Sequence, residues 1–136
     1  MFDIASSLAG FPAFALYFAV SVAAVLIFMK IYTGITPHDE VALIKENNPV
    51  AAITYIGTLV GFALPLASAL ENSVGIFDFL VWAVVAAIAQ IVTFLGFRAF
   101  YPKVSVRIKN GEYAVGVKLA GVSLVVGILN AASMTY

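Results

Sequence analysis

No cysteine occurs in this chain of 136 residues. Disulfides and thiolate metal sites are therefore excluded, and cysteine usage says nothing about the redox compartment. Charge is almost as scarce: charged residues are 10% of the chain, seven basic against seven acidic, for a formal net charge of zero. Without a basic field the chain offers nothing to nucleic acid, and without an acidic run it has no solvating arm. Histidine appears once, at His38, beside Asp39 and Glu40 in a polar stretch. That is too few ligands for a metal site, and a solvated surface histidine is the expectation. No Gly-rich phosphate loop, nucleophile elbow or zincin pattern is present. Nothing in the sequence argues for an enzyme, a cofactor or a metal.

What is present is apolar. Hydrophobic residues are 63% of the chain and mean hydropathy is +1.08, more apolar surface than a soluble domain of this size can hide. Four stretches are long enough to span a bilayer, at about 11–32, 50–71, 78–100 and 113–135. The predicted fold is an all-α membrane protein, a single four-helix transmembrane domain over 1–136. The opening MFDIASSLAG lacks the basic start of a secretory signal peptide, so the first helix is expected to be retained as a span. A short interfacial helix, capped by Thr36 or Asp39, is expected between the first two spans. The stretch from Tyr101 to Glu112 reads as a basic, water-facing loop.

The second span carries the most informative pattern. Thr54, Gly57, Gly61, Pro65, Ser68 and Asn72 fall on one stripe at steps of three or four. Gly57-xxx-Gly61 is the spacing that lets two membrane helices touch backbone to backbone. The fourth span has a comparable face with Gly116, Ala120, Ser123, Gly127 and Asn130, and the third contributes Ala83, Ala86, Gln90 and Thr93. Such small-residue faces suggest a homo-oligomer in the lipid bilayer. Pro65 removes a backbone hydrogen bond and should kink or loosen its helix; a gating hinge is the sharper alternative. Gln90 and Thr93 are expected to hydrogen-bond between helices.

Lys30 and Lys45 flank the first polar loop; Arg98, Lys103, Arg107 and Lys109 flank the second. The N-terminal lead and the connection after Asn72 contain no lysine or arginine, so both loops are expected to be cytoplasmic and both termini outside. Lys118 is the one charged residue inside an apolar stretch. Its stem can snorkel from about 7.5 Å inside the helix, and a specific pair or a pore role is the alternative. Glu71 and Asn72 close the second span and Asn130 reaches a similar depth on the fourth. Capping of helix ends accounts for Asn72, but an anion opposes the dipole at a helix C-terminus. Glu71 therefore implies either a cation or polar partner or a functional carboxylate, and Glu71, Asn72 and Asn130 form the candidate polar functional cluster. A shift of 64 residues places Ile44-Lys45 on Ile108-Lys109 and Gly57 on Gly121, whereas the small stripes match better at 66, with Gly61 on Gly127. A parallel tandem repeat of a two-helix unit is the expectation if the two registers are joined by a small gap.

The runs Leu43-Ile44-Lys45-Glu46-Asn47-Asn48 and Gly61-Phe62-Ala63-Leu64-Pro65-Leu66-Ala67-Ser68-Ala69 resemble the YjfL-like family of small bacterial inner-membrane proteins. So do Gln90, the run Ile108-Lys109-Asn110-Gly111 and the ending Gly127 to Tyr136. The resemblance implies four spans in the bacterial inner membrane, and no catalytic residues come with it. It also implies a setting near membrane-stress proteins, with a peripheral cytoplasmic one as a possible partner. The expectation is a non-enzymatic, oligomeric component supporting envelope integrity. The alternative is a small oligomeric channel or transporter for an ion or small solute.

Overall fold

The computed structural model describes residues 3–134, so Met1 at the start of the lead and Thr135 at the expected end of the last span lie outside the described residues. The described chain is helical apart from its corners, and four of its helices are long and apolar enough to cross a membrane. A one-turn helix α1 (Ile4–Leu8) leads into the first span, α2 (Phe11–Ile35), with Pro12 in the first turn where a missing N–H costs nothing. The span runs past Tyr32 because no residue breaks it before Thr36, which takes an extended conformation ahead of Pro37. A short helix α3 (Glu40–Lys45) follows, capped by Asp39, whose Oδ1 accepts from the Ala42 N–H at 3.1 Å. The second span is α4 (Pro49–Asn72) and the third α5 (Ile76–Phe100). A second short helix, α6 (Val104–Lys109), precedes the last span, α7 (Tyr113–Ser133).

The expected loop between Tyr101 and Glu112 is therefore partly helical and partly buried. Val104 and Ile108, spaced at one helical turn, are 1% and 0% exposed and tuck under the bundle. That i, i+4 apolar pair was the signal for α6. The two loop helices end alike. Asn47 and Gly111, 64 residues apart, both have positive φ (66° and 75°) and reverse the chain into the next span. In each corner the following N–H reaches back to satisfy a helical carbonyl, Asn48 to Leu43 and Glu112 to Arg107. Asn48 then holds both corners together. Its Oδ1 caps α4 through the Val50 and Ala51 N–H groups, and its Nδ2 donates to the Ile108 carbonyl at 3.0 Å.

The tightest pairing is between α4 and α7, with α5 laid against both and α2 along the outside. The glycine stripe is what brings α4 and α7 so close. A Cβ on Gly57 would lie 2.6 Å from the Ala120 Cα, and one on Gly61 would lie 2.5 Å from the Ser123 carbonyl oxygen. A Cβ on Gly127 would collide with the Gly61 carbonyl itself. Pro65 is buried in the same stripe. Having no N–H, it leaves that Gly61 carbonyl without its usual helical donor. The stripe read as a surface for bringing copies together is in fact spent inside one chain, because the fourth span supplies the complementary small face.

Large aromatic side chains fill the loop-side half of the bundle. Phe28 stacks on Phe62 with ring centroids 4.3 Å apart, and Tyr32 meets Phe94 edge-on at 5.8 Å. By contrast α2 buries only Ser21, Phe28, Met29 and Tyr32. Tyr17, Val20, Ala24 and Val25 are partly buried against the core, while Phe14, Phe18, Leu26 and Ile27 point outwards, as lipid rather than water requires.

Candidate functional site

The feature of the bundle that apolar packing does not explain is a knot of buried polar side chains under the two short helices. It begins with the extended segment Thr36-Pro37-His38-Asp39-Glu40. Alternate side chains of an extended chain point the same way. Here Thr36, His38 and Glu40 turn inwards, at 5%, 1% and 1% exposure, while Pro37 and Asp39 face out. The His38 Nε2 lies 3.0 Å from one oxygen of Glu40, and the Thr36 hydroxyl donates to the other at 2.9 Å. On its far side, the His38 Nδ1 is 2.7 Å from the Ser105 hydroxyl, 67 residues along the chain on α6. Tyr32, Thr58 and Phe94 close the knot from within the bundle.

His38 is thus no solvated surface residue; the corner geometry that turns it inwards also buries its charged neighbour. A buried carboxylate is tolerable only with partners on its lone pairs, and Glu40 has them on both oxygens. An ionised Glu40 can only accept, which puts a hydrogen on Nε2. A neutral ring then accepts the Ser105 hydroxyl hydrogen at Nδ1, and a protonated ring donates to the hydroxyl oxygen instead. The Ser105–His38 and Thr36–Glu40 hydrogen bonds therefore meet at a 3.0 Å polar contact between Nε2 and the carboxylate that is too poorly aligned to be a hydrogen bond itself. Its sequence signal was the alternation in 36–40; the Ser105 partner had none.

The other candidates stand apart from this knot. Gln90 is 1% exposed at the meeting of α4, α5 and α7, and its amide donates to the Ser123 carbonyl at 3.1 Å, as a helix-bridging residue should. Thr93 instead bonds within its own helix, to the Ala89 carbonyl at 2.7 Å, an acceptor one turn away that a threonine hydroxyl reaches readily. Lys118 is exposed on α7, and its ammonium reaches the Tyr101 hydroxyl at 2.6 Å. At the opposite face Glu71 and Asn72 are exposed; the Asn72 amide bonds to the Ser68 carbonyl of its own helix. Asn130 is half-buried, and no hydrogen bond or ion pair joins it to Glu71 or Asn72 among the described residues. Among the described residues no group of three metal-ligating side chains comes together.

Four apolar spans, loops folded back under the bundle and a sealed polar knot define a polytopic membrane protein. The chain belongs to the DUF350 family, described as a Domain of Unknown Function, whose model matches residues 6–134. It is 44% identical over 124 residues to the UPF0719 inner membrane protein YjfL of Escherichia coli strain K12, covering 91% of this chain and 94% of that protein. The protein of the same description from Escherichia coli O157:H7 matches equally, at 44% identity. No solved structure matches. The chain is accordingly an inner-membrane protein with four spans.

Proposed function

We propose that the protein is a non-enzymatic inner-membrane component that supports envelope integrity, its two halves locked at the loop face by the Ser105–His38–Glu40 chain. The carrying observation is the sealing of that chain: His38 and Glu40 are each 1% exposed. A nucleophile, base and carboxylate in this order invite comparison with a catalytic triad, but a triad must present its base to a substrate. Here the base is closed in by Tyr32, Phe94 and Thr36, and what it joins is one loop to the other. The envelope role and a peripheral membrane-stress partner come from the family resemblance. We also infer that the 64-residue recurrence of the corners at Asn47 and Gly111 reflects duplication of a two-helix unit.

The test is complementation of a deletion strain under envelope stress. Ser105→Ala should complement fully, since its loss removes one hydrogen bond of about 1 kcal/mol from the lock. If Ser105→Ala inserts and melts like the parent yet fails to complement, a catalytic serine replaces this reading.

Orientation is part of the same proposal: the basic loops face the cytoplasm and both termini face out. Single cysteines at Ser7, Val74 and Ser133, all exposed, should react with an impermeant thiol reagent in spheroplasts, while one at Asn110 should not. The inverse labelling would reverse the topology.

A second reading is favoured by a specific observation. Buried polar groups occur at successive depths: His38 and Glu40 at the loop face, then Thr58, then Gln90 with Ser123 at mid-span. A proton or small-cation path needs that distribution. Proton or potassium flux in proteoliposomes that Gln90→Leu abolishes would move this reading ahead of the first.

A further inference from the structure

Between α5 and α7 a groove of about 590 Å³ opens to the lipid side of the bundle. Its walls are apolar, Val92, Phe97, Phe100, Val122 and Val126 among them, and its floor is shallow at Gly96, where a side chain would meet only open space. The groove follows α5 from Val92 to Phe100, a rise of eight steps or about 12 Å, close to the depth of about 15 Å of one hydrocarbon leaflet. It ends at the loop face under Lys118 and Tyr101.

Two smaller hollows continue from that end. One is bounded by Tyr101, Pro102, Lys103 and Arg107, the other by Tyr101, Arg107 and Lys118. The charged residues lining the groove and both hollows are Lys103, Arg107 and Lys118, and none is acidic. The nearest counter-charge is Glu112, which holds Arg107 at 3.0 Å in an exposed, screened pair. Lys118 has no carboxylate partner among the described residues. Its ammonium sits 5.0 Å over the Tyr101 ring and 2.6 Å from the Tyr101 hydroxyl, held at the rim of the groove with donors to spare.

We propose that this groove is a binding site for an anionic glycerophospholipid of the loop-side leaflet. One acyl chain lies along α5 and α7, and the phosphate is held by Lys118 with Arg107 and Lys103. Every groove of a membrane protein meets lipid; the charge at its mouth distinguishes this one. Lys118, Lys103 and the Glu112-paired Arg107 leave the mouth net positive, so a zwitterionic headgroup would bring in a further cation where an anionic one neutralises the excess. Arginine and lysine beside a tyrosine hydroxyl are the donor set that phosphate takes. The inference is independent of the envelope role and of the loop-face lock.

The test is native mass spectrometry of the full-length protein with dioleoylphosphatidylglycerol or dioleoylphosphatidylcholine at equal concentration. The parent should retain the phosphatidylglycerol adduct at least five-fold more than the phosphatidylcholine one. Lys118→Gln should erase most of that preference, a three- to ten-fold loss of the anionic adduct alone, and Arg107→Gln should act in the same direction. A Cβ at Gly96 has no neighbour within 4 Å, so Gly96→Leu should extend into the groove and reduce both adducts while the melting temperature holds. Equal retention of the two lipids by the parent overturns the proposal. So does a preference that survives both Lys118→Gln and Gly96→Leu in protein that melts normally.

Discussion

Glu40→Ala should destabilise the protein by about 3–5 kcal/mol, although residue 40 lies outside every span and beside a water-facing corner. The variant removes the carboxylate 3.0 Å from the His38 Nε2, in a site where His38 is 1% exposed and cannot find water instead, while the Thr36 hydroxyl falls back on the Thr33 and His38 carbonyls. His38→Ala should cost a similar amount, because it strips one oxygen of a buried carboxylate and opens a cavity against Phe94. The two losses should not add. His38→Leu combined with Glu40→Met removes both polar groups and refills the volume, and buried pairs replaced this way are often neutral in stability. SDS-titration unfolding in mixed micelles reads all three. A double variant as damaged as the sum of the singles would show that the pair is not coupled.

Gly61→Leu and Gly127→Leu should fail to assemble a native bundle, and even alanine at these positions should cost about 1–3 kcal/mol. At both sites the first atom that a side chain would meet is backbone: the Ser123 carbonyl for Gly61 and the Gly61 carbonyl for Gly127. Backbone cannot swing aside as a flexible side chain can. The helices must separate, and with them goes the Gln90 bond to Ser123, made at the same level. Gly96→Ala and Gly121→Ala are the controls. Neither meets any atom within 4 Å, so both should be neutral or gain up to about 1 kcal/mol from helix propensity. Thermal melts by circular dichroism in detergent separate the two pairs. Equal melting temperatures for Gly61→Ala and Gly96→Ala would mean that α4 and α7 do not touch along this stripe.

The close approach of α4 and α7 was legible as a pattern and misplaced as a partner. Gly57, Gly61 and Gly127 announce that backbones touch, but a glycine spacing is the same whether the second helix is another molecule or the fourth span of its own chain. The reading of Glu71, Asn72 and Asn130 as one cluster had a similar basis, a shared depth. The structure leaves Glu71 and Asn72 exposed and Asn130 half-buried, with no bond joining them among the described residues.

The sequence by itself determined that this is a four-span membrane protein, and its family resemblance implied the inner membrane. Transfer of apolar side chains into lipid is additive along a chain, and a run of about 20 such residues is sufficient evidence of a span. His38, beside Asp39 and Glu40, was judged by the same additive rule and read as hydrated, since polar residues next to a loop ordinarily are. Only the tertiary structure decided otherwise. The two corners meet beneath the bundle, α6 delivers Ser105 to His38 from 67 residues away, and Asn48 pins one corner to the other. Burial of a polar group costs less once it has partners, and the Ser105 partner of His38 is a property of where distant segments come together rather than of either one.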